Sequence, residues 1–588
     1  MRHLPRTALV VAALAAAFAA PAVGRQSPKR SRFEYRTPAG VTYVVTPDGL
    51  AEVRLGSRVI ARGGWRFRAA DARWGFPAGP DTEAITAKSL EVVSRTEARV
   101  THTHAKAVAR HTFTFAGEDV RIESWVENHD PKAEVRVAAF EGPKVSFGRV
   151  PRGILHNVHP SYTAAHGVTF MHPGEVRIGG SYGVGDGFGV GAFPHDAGAH
   201  PAVILWDWDW EKRESDPNRT PVVYVNAPIP ARGARTFGVT FRFSPNADWT
   251  HLLDPYRRHL HATVGDKLLY DRPSNRPLVS SFAHGAESER GPTNPYGYHP
   301  QRRLDTVNGV LAYHAALAPT MRAIQAQGVV IWSQGGTNPR GAMYRPDFDI
   351  LPPEVVPNFV RLTELFRQDG MAVGVAARPG QIAQPLDWTK DTVSMLNAAR
   401  PEELELLTHR FNVMIGRGCR LFYLDSFGAR LDDVTIMRAV RGGCGKEKGI
   451  GPGIQTYVEH PSDVIIPYSG LLPVLTGGVP GAAGSPADDT IAIAFAGGFG
   501  LSPPDMPTIP EVLRYFYPDV PIVALVGQAQ GLDTDARKRA AVEYCYKLRM
   551  TPMIPDDWLP PGLKAADWFN PLTRRYLTPD WQWKAKPD

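Results

Sequence analysis

After Pro277 the chain alternates short apolar runs with longer amphipathic segments, and this rhythm restricts the fold more than any other feature. The runs predict strands at 278–283, 328–333, 371–377, 420–425 and 454–459, with further strands in 463–467 or 490–496, in 521–526 and in 550–554. Between them, 354–369, 401–417 and 431–441 carry helical periodicity. About eight strand–helix units in roughly 280 residues is what a (β/α)8 TIM barrel requires. A doubly wound open sheet is the competing topology, but the Gly-rich first turn expected of one is missing.

Upstream the texture differs. From Phe33 to Phe243, stretches such as "VTYVVTP", "VRIESWVEN", "EVRVAAF" and "FGVTFRF" alternate or run apolar over short lengths, with Gly and Pro between them. Many short strands at this density predict an antiparallel β-sandwich. The organisation expected is therefore multidomain: a β-sandwich over 30–246, a linker helix within 247–275 that contains Pro255, and a barrel with a C-terminal tail over 276–588. "GGSYGVGDGFGVGAF" (179–193) looks like a phosphate loop, yet Phe188 and Val190 stand where GxGxxG needs glycine, and its alternation predicts closely packed strands or a hairpin.

Residues 1–24 read as a secretion signal: Arg2 and Arg6 precede an apolar stretch, and Ala20-Pro21-Ala22 offers a cleavage site. The expected location is thus secreted or periplasmic. The apolar stretch is shorter than the ~20 residues of a bilayer-spanning helix, and no later segment is apolar enough to span. Lys and Arg are scattered and the formal charge of +7 is small for 588 residues, so a nucleic-acid partner is not supported. Three cysteines exclude a disulfide framework but leave one Cys419–Cys444 bridge open, two isolated thiols being the other reading.

The run "RLFYLDSFGAR" (420–430) ends its apolar stretch abruptly in Asp425. At the C-terminal end of a barrel strand a carboxylate is held rigidly yet faces a loop-lined crevice, which suits a nucleophile or an electrostatic stabiliser; a cap on the next turn is the alternative. The next strand, "GIQTYVEH", ends in Glu459 and His460. Adjacent strands lie ~5 Å apart. Carboxyl groups about 5–5.5 Å apart suit retaining glycoside hydrolysis, one attacking and one protonating the leaving oxygen. Asp suits the ionised role and a less solvated Glu the acid.

Other strand tips supply candidate substrate contacts: Arg378, which can pair with Asp425 or a sugar hydroxyl; His284, followed by Glu287 and Glu289; Trp332 with Gln334; and Tyr423, two residues before Asp425 and placed to buttress it. Trp332 and Trp388 are aromatic platforms for a sugar ring, although with 13 tryptophans in the chain any one of them is more often packing. His460 points to the opposite side of its strand, where a structural role competes with ligand contact.

The stretches "GVVIW", "VGVAARP", "LFYLDSFG" and the Glu-His pair of "YVEH" resemble those of exported bacterial proteins with glycoside-hydrolase-like TIM barrels, over about residues 275–560. The fourth-strand Asp and fifth-strand Glu are similar to the arrangement of the α-amylase clan. The upstream sandwich is similar in placement to those of α-galactosidase- and α-glucosidase-type enzymes. The resemblance implies retaining hydrolysis of an α-linked sugar, with Asp425 as nucleophile and Glu459 as acid/base. Two positions depart from it. Tyr423 stands where the clan carries an arginine, and Ser333-Gln334-Gly335-Gly336 stands where acidic residues follow the second-strand Trp. The missing second-strand acids favour one alternative, a non-catalytic carbohydrate-binding or scaffold protein; a further alternative is a lyase or isomerase using Glu459 or His284 as base, which a divalent-metal requirement would favour.

No metal or cofactor is expected. "THTH" sets His102 and His104 on one strand face, with more histidines at 156, 159, 166 and 172, but no HExxH occurs and a surface or hydrogen-bonding role is the favoured reading. "GGCGKEKG" (442–449) fails the P-loop spacing, and no GxSxG elbow exists. "LWDWDWE" offers Asp207, Asp209 and Glu211 either as a calcium- or sugar-facing patch or as an exposed edge strand. Oligomeric state, sugar and linkage leave no mark on the sequence.

Overall fold

A computed structural model describes residues 31–68, 84–153, 179–195, 203–207, 216–336, 348–383, 393–428, 431–459, 462–472, 474–477, 491–495, 498–500, 507, 509–526, 535–558 and 565–577. The secretion-signal reading of 1–24 lies outside these residues, as do His460, Trp388, the histidines at 156, 159, 166 and 172, and Asp209 and Glu211.

In the N-terminal half the period-two sequence becomes period-two burial. Every second residue of Glu97–His104 is buried, and Asp119–Asn128 behaves likewise. Two antiparallel sheets result. One runs from Phe33–Arg36 through Val41–Thr46, Gly49–Leu55, Arg58–Arg62, Lys144–Ser146, Asn218–Ile229 and Val135–Glu141 to Arg66–Arg68, with Val203–Asp207 as an edge strand on Asn218–Ile229. The other orders Ser181–Val184, Gly189–Pro194, Ala234–Ser244, Asp119–Asn128, Ala107–Ala116, Glu97–His104 and Ile85–Val92. Their inner faces share one core, in which Trp65 stacks on Phe140 at 5.8 Å and meets Phe241 edge-on. The glycine-rich stretch forms an antiparallel pair, Ser181 opposite Ala192, as its alternation predicts.

His102 and His111 are fully buried in this core and His104 nearly so; of the surface or hydrogen-bonding role expected for His102 and His104, the surface half is corrected and the hydrogen-bonding half holds for His102. His102 bonds the Pro47 carbonyl at 2.8 Å, and the His111 ring sits 2.9 Å from Ser124 Oγ. Among the described residues no group of three or more His, Cys, Asp or Glu is arranged to hold a metal ion.

The helix Trp249–Val264 leads into the second half. Asp248 caps it by accepting from the Thr250 N–H at 2.9 Å, and Pro255 lies within it. Parallel strands then form the staves of a nearly closed barrel: Leu278–Phe282, Gly328–Trp332, Ala372–Ala377, Cys419–Leu424, Gln455–Val458, a sixth stave in two pieces (Gly470–Leu471 and Val474–Gly477), Val523–Val526 and Thr551–Pro555. The eighth stave pairs with the first, and the sixth meets the seventh through Leu471–Ile522 and Val474–Leu525. Helices Val307–Ala323, Val355–Gln368, Pro401–Gly416, Leu431–Gly442, Ile509–Phe516, Asp535–Lys547 and Ala565–Tyr576 follow most of the staves.

The sixth stave corrects the sequence reading. Residues 463–465 form a 3₁₀ turn, and Ile491–Phe495 pairs antiparallel off the sixth stave rather than within the ring. Ile465 and Ile466 are fully buried, so their apolarity reflects packing of a turn against the core and not a ladder. The three cysteines are free thiols, so the Cys419–Cys444 bridge does not form. Among the described residues no helix is long and apolar enough to cross a membrane.

Candidate active site

Strand alternation decides which side chains enter the barrel. Leu278, Val330, Trp332, Ala376, Leu421, Tyr423, Tyr457, Leu472, Val523, Leu525 and Met553 share one interior cluster. Continuing the same parity to the stave ends puts His284, Arg378, Asp425 and Glu459 on the interior face at the C-terminal mouth. Four of the eight candidates from the sequence thus crown the same opening, and Trp332 and Tyr423 lie beneath them; Gln334 follows the second stave past Ser333, where a left-handed turn ends the alternation.

The last ladder bonds pin the two carboxylate residues. The Asp425 N–H donates to the Ala377 carbonyl at 2.8 Å, and the Glu459 N–H to that of Leu424 at 3.0 Å. Between them stands Ser426, a non-glycine residue in the left-handed region at φ +50°. That conformation costs on the order of 1 kcal/mol and clusters at functional sites. Here it turns one residue toward both acids: the Ser426 N–H donates to Glu459 Oε2 at 2.7 Å, and its hydroxyl donates to Asp425 Oδ2 at 3.2 Å. Arg378, from the third stave, donates through Nε to the same Asp425 oxygen at 2.5 Å. Asp425 is only 5% exposed, whereas the arginine above it is 30% exposed, so the pair lies at the open end and not within the core. The guanidinium absent from position 423 is supplied from the neighbouring stave.

Tyr423 packs its ring against Trp332 at 4.4 Å, and Phe282 also stacks on Trp332, at 5.2 Å. Trp332 is 3% exposed. These rings floor the mouth, so aromatic contact with a sugar is not their most direct role. Across the opening, Gln334 is buried and donates to the Phe348 carbonyl at 3.2 Å. His284 meets Phe282 edge-on, and burial, with Arg302 and His299 nearby, lowers its pKa and keeps the ring neutral. Among the described residues Gln334 Oε1, Ser333 Oγ and His284 Nδ1 are buried without a hydrogen-bond partner. Ser333 repeats the left-handed turn of Ser426 at the second stave tip, with φ +56°.

Sequence reasoning missed two features. One is Ser426 as a bridge, visible only as a small hydroxyl residue directly after Asp425. The other is a polar network behind the first and eighth staves: Arg302 pairs with Asp556 at 2.9 Å and donates to the Phe282 carbonyl at 3.0 Å, while Ser281 donates to Asp556 and receives from Tyr313 at 2.6 Å. Burial raises the pKa of Asp556 against the pull of Arg302. No local pattern joins residues so far apart in the chain.

In fold, the chain is similar to a glycosidase. It matches α-N-acetylgalactosaminidase NagBb from Bifidobacterium bifidum in its Gal-NHAc-DNJ complex at a TM-score of 0.58 and 13% identity, over 93% of each chain. The ligand-free form of that protein gives 0.57 and 13%, over 93% and 92%. Its GalNAc complex gives 0.55 and 14%, again over 93% and 92%. No family model matches the chain, and no curated protein matches it. What the likeness establishes is architecture, two antiparallel sheets followed by a parallel barrel; the site rests on its own geometry.

Proposed function

We propose that the protein is an exported glycoside hydrolase, a β-sandwich followed by a (β/α)8 barrel, that cleaves an α-linked sugar with retention. Asp425 attacks the anomeric carbon while Glu459 protonates the departing oxygen; Glu459 then takes a proton from the water that releases the sugar from Asp425. Arg378 fixes the orientation of Asp425 through its Nε–H bond to Oδ2. The observation that carries this reading is the joint hold of Ser426 on both carboxylates, at 2.7 and 3.2 Å, on adjacent stave tips. The architectural likeness to an α-N-acetylgalactosaminidase supports an α-linked hexoside as substrate, with the N-acetylgalactosaminide first in the panel.

Aryl α-glycosides test it directly. Asp425→Asn should remove hydrolysis of every substrate that the native protein turns over, and proton NMR should show the α-anomer released first. Hydrolysis unaffected by both Asp425→Asn and Glu459→Gln refutes the site, and β-anomer first refutes retention. The burial of Asp425 beneath Arg378 favours a second reading, a carbohydrate-binding protein with a silent barrel. Saturable sugar binding without turnover across the panel would establish that one.

A further inference from the structure

The tip of the first stave is held by the loop that follows it. His284 pairs with Tyr298 in an antiparallel bridge, flanked by the His299 N–H donating to the Ala283 carbonyl at 2.9 Å and the Gly285 N–H to that of Gly297 at 2.8 Å. Tyr298 is fixed in turn. Its N–H donates to Asn294 Oδ1 at 3.1 Å, the Asn294 amide donates to its carbonyl at 2.7 Å, and its hydroxyl donates to the Gln334 carbonyl at 2.8 Å. The backbone that carries His284 is therefore stapled to the second stave tip, and the ring stands on a rigid mount.

That ring is half-buried at the mouth, edge-on to Phe282 at 5.5 Å. Its Nδ1 is buried and has no hydrogen-bond partner among the described residues, so the imidazole is not spent on a link within the protein. The charged and titratable groups that face it are Arg302 and His299; Glu289 acts on His299 from the same loop, and Asp556 comes from the eighth stave tip to hold Arg302. Arg302 cannot swing away. Its guanidinium spans the Phe282 carbonyl at 3.0 Å and Asp556 Oδ2 at 2.9 Å, and its own backbone N–H donates to the His299 carbonyl at 2.8 Å. Only 20% of the arginine side chain and 5% of the aspartate are exposed, so solvent screens this fixed charge weakly. Burial first, and then Arg302 and His299, lower the pKa of His284.

A neutral imidazole offers one N–H and one lone pair, whereas an imidazolium has two N–H groups and accepts nothing. At the neighbouring tip Ser333 and Gln334 are buried, so the half-exposed ring of His284 is the more accessible acceptor on this wall. We propose that His284 accepts a hydrogen bond from a hydroxyl of the bound sugar, and that Arg302, anchored by Asp556, is the positioning residue that keeps a second proton off its ring. This rests on the mouth being a glycosidase site. The first stave supplies the acceptor, and the eighth holds the charge that preserves it.

The test compares KM at pH 5 and pH 8 for the aryl α-glycoside turned over fastest, p-nitrophenyl N-acetyl-α-galactosaminide being tried first. Arg302→Gln removes the charge and keeps an amide donor. Its KM relative to the native protein should be about 3- to 10-fold higher at pH 5 than at pH 8, the worth of one hydrogen bond lost to protonation, with no such trend in kcat. Arg302→Lys should restore the native profile. Arg302→Gln combined with His284→Gln, whose amide oxygen accepts at any pH, should lose the trend. A rise equal at both pH values, or a trend that survives in the double variant, overturns the proposal. The imidazole Cε1–H resonance of His284, assigned by its absence from His284→Gln, gives a second readout that needs no substrate. It should titrate below pH 6.5 in the native protein and higher in Arg302→Gln; a native midpoint at or above 6.5 overturns the proposal even if Arg302→Gln does not fold. No hydrolysis anywhere in the glycoside panel fells the glycosidase reading and the sugar contact with it, whereas hydrolysis without the pH trend fells only the roles of His284 and Arg302.

Discussion

Replacing Asp463 with asparagine should make the protein more resistant to unfolding as the pH rises, although the residue anchors two halves of the molecule. Burial pushes the Asp463 pKa up from 3.8 to about 6, against hydrogen bonds from Tyr256 and the Gly179 N–H that pull it down. Between these values the folded chain keeps a proton that the unfolded chain has lost. Stability from this group is therefore complete below pH 3.8 and is lost as the pH rises through about 6. The interval corresponds to about 3 kcal/mol at 1.36 kcal/mol per pH unit. Asparagine cannot ionise and escapes the decline. Any fixed effect of its amide on the buried Oδ1 side is the same at every pH. The stability of Asp463→Asn relative to the native protein should thus improve by about 2 kcal/mol between pH 4 and pH 7, the rest of the change falling outside that range. Urea unfolding followed by tryptophan fluorescence at pH 4, 5, 6 and 7 measures this difference. A difference that stays constant, or moves the other way, would show that the carboxyl is not held against ionisation.

The His195 pKa is pushed down to about 3, first by burial and then by Arg121 and His259, so the folded chain refuses a proton that the unfolded chain accepts below about 6.5. Its contribution to stability is complete above pH 6.5 and is lost as the pH falls toward about 3; by pH 5 the loss is about 2 kcal/mol, and His195→Gln should flatten that limb in acid unfolding curves. Gly180→Ala should destabilise the protein by about 1–3 kcal/mol by thermal or urea unfolding, because its methyl group would meet the Tyr256 ring at 2.4 Å; an unchanged midpoint would refute the close approach. Cys419 and Cys545 are buried, and burial pushes the Cys419 thiol up to about 12, whereas Cys444 is half-buried. An aromatic disulfide reagent should label one thiol per native chain and three after denaturation; rapid labelling of a second would contradict the burial.

The staves that carry chemistry were legible because each ends an apolar run at one charged residue. "LFYLD", "QTYVE" and "VGVAAR" deliver Asp425, Glu459 and Arg378 to the same mouth, and alternation alone gives them a common face. The sixth stave was not legible: "GLLPVLTG" carries Pro473 inside it, and proline lowers any strand assignment. The apolar "VII" just before it looked better and is a buried turn. His102 and His104 alternate correctly, but period two says only that they share a face with each other, not that the face looks inward. Position likewise suggested Trp332 as a sugar platform, yet in the fold Phe282 and Tyr423 both pack on it and leave it 3% exposed.

The same contrast explains how position 423 departs from the amylase-clan pattern without leaving Asp425 unaccompanied. In a barrel, the interior at one height is filled by staves that are neighbours in space, so a guanidinium can reach a given carboxylate from its own strand or from the adjacent one. Here Tyr423 uses its interior position to pack on Trp332, and Arg378, one residue past the end of the third stave, reaches across to Asp425 Oδ2. A motif read along one strand registers this as a loss; read around the ring it is a relocation. The acidic side chains missing after Trp332 have no such replacement among the described residues of that tip, where Ser333 and Gln334 are buried and neutral. The electrostatic partner of the proposed nucleophile is therefore retained, while the wall across the mouth is altered. That combination points to altered recognition of the sugar more directly than to loss of the reaction.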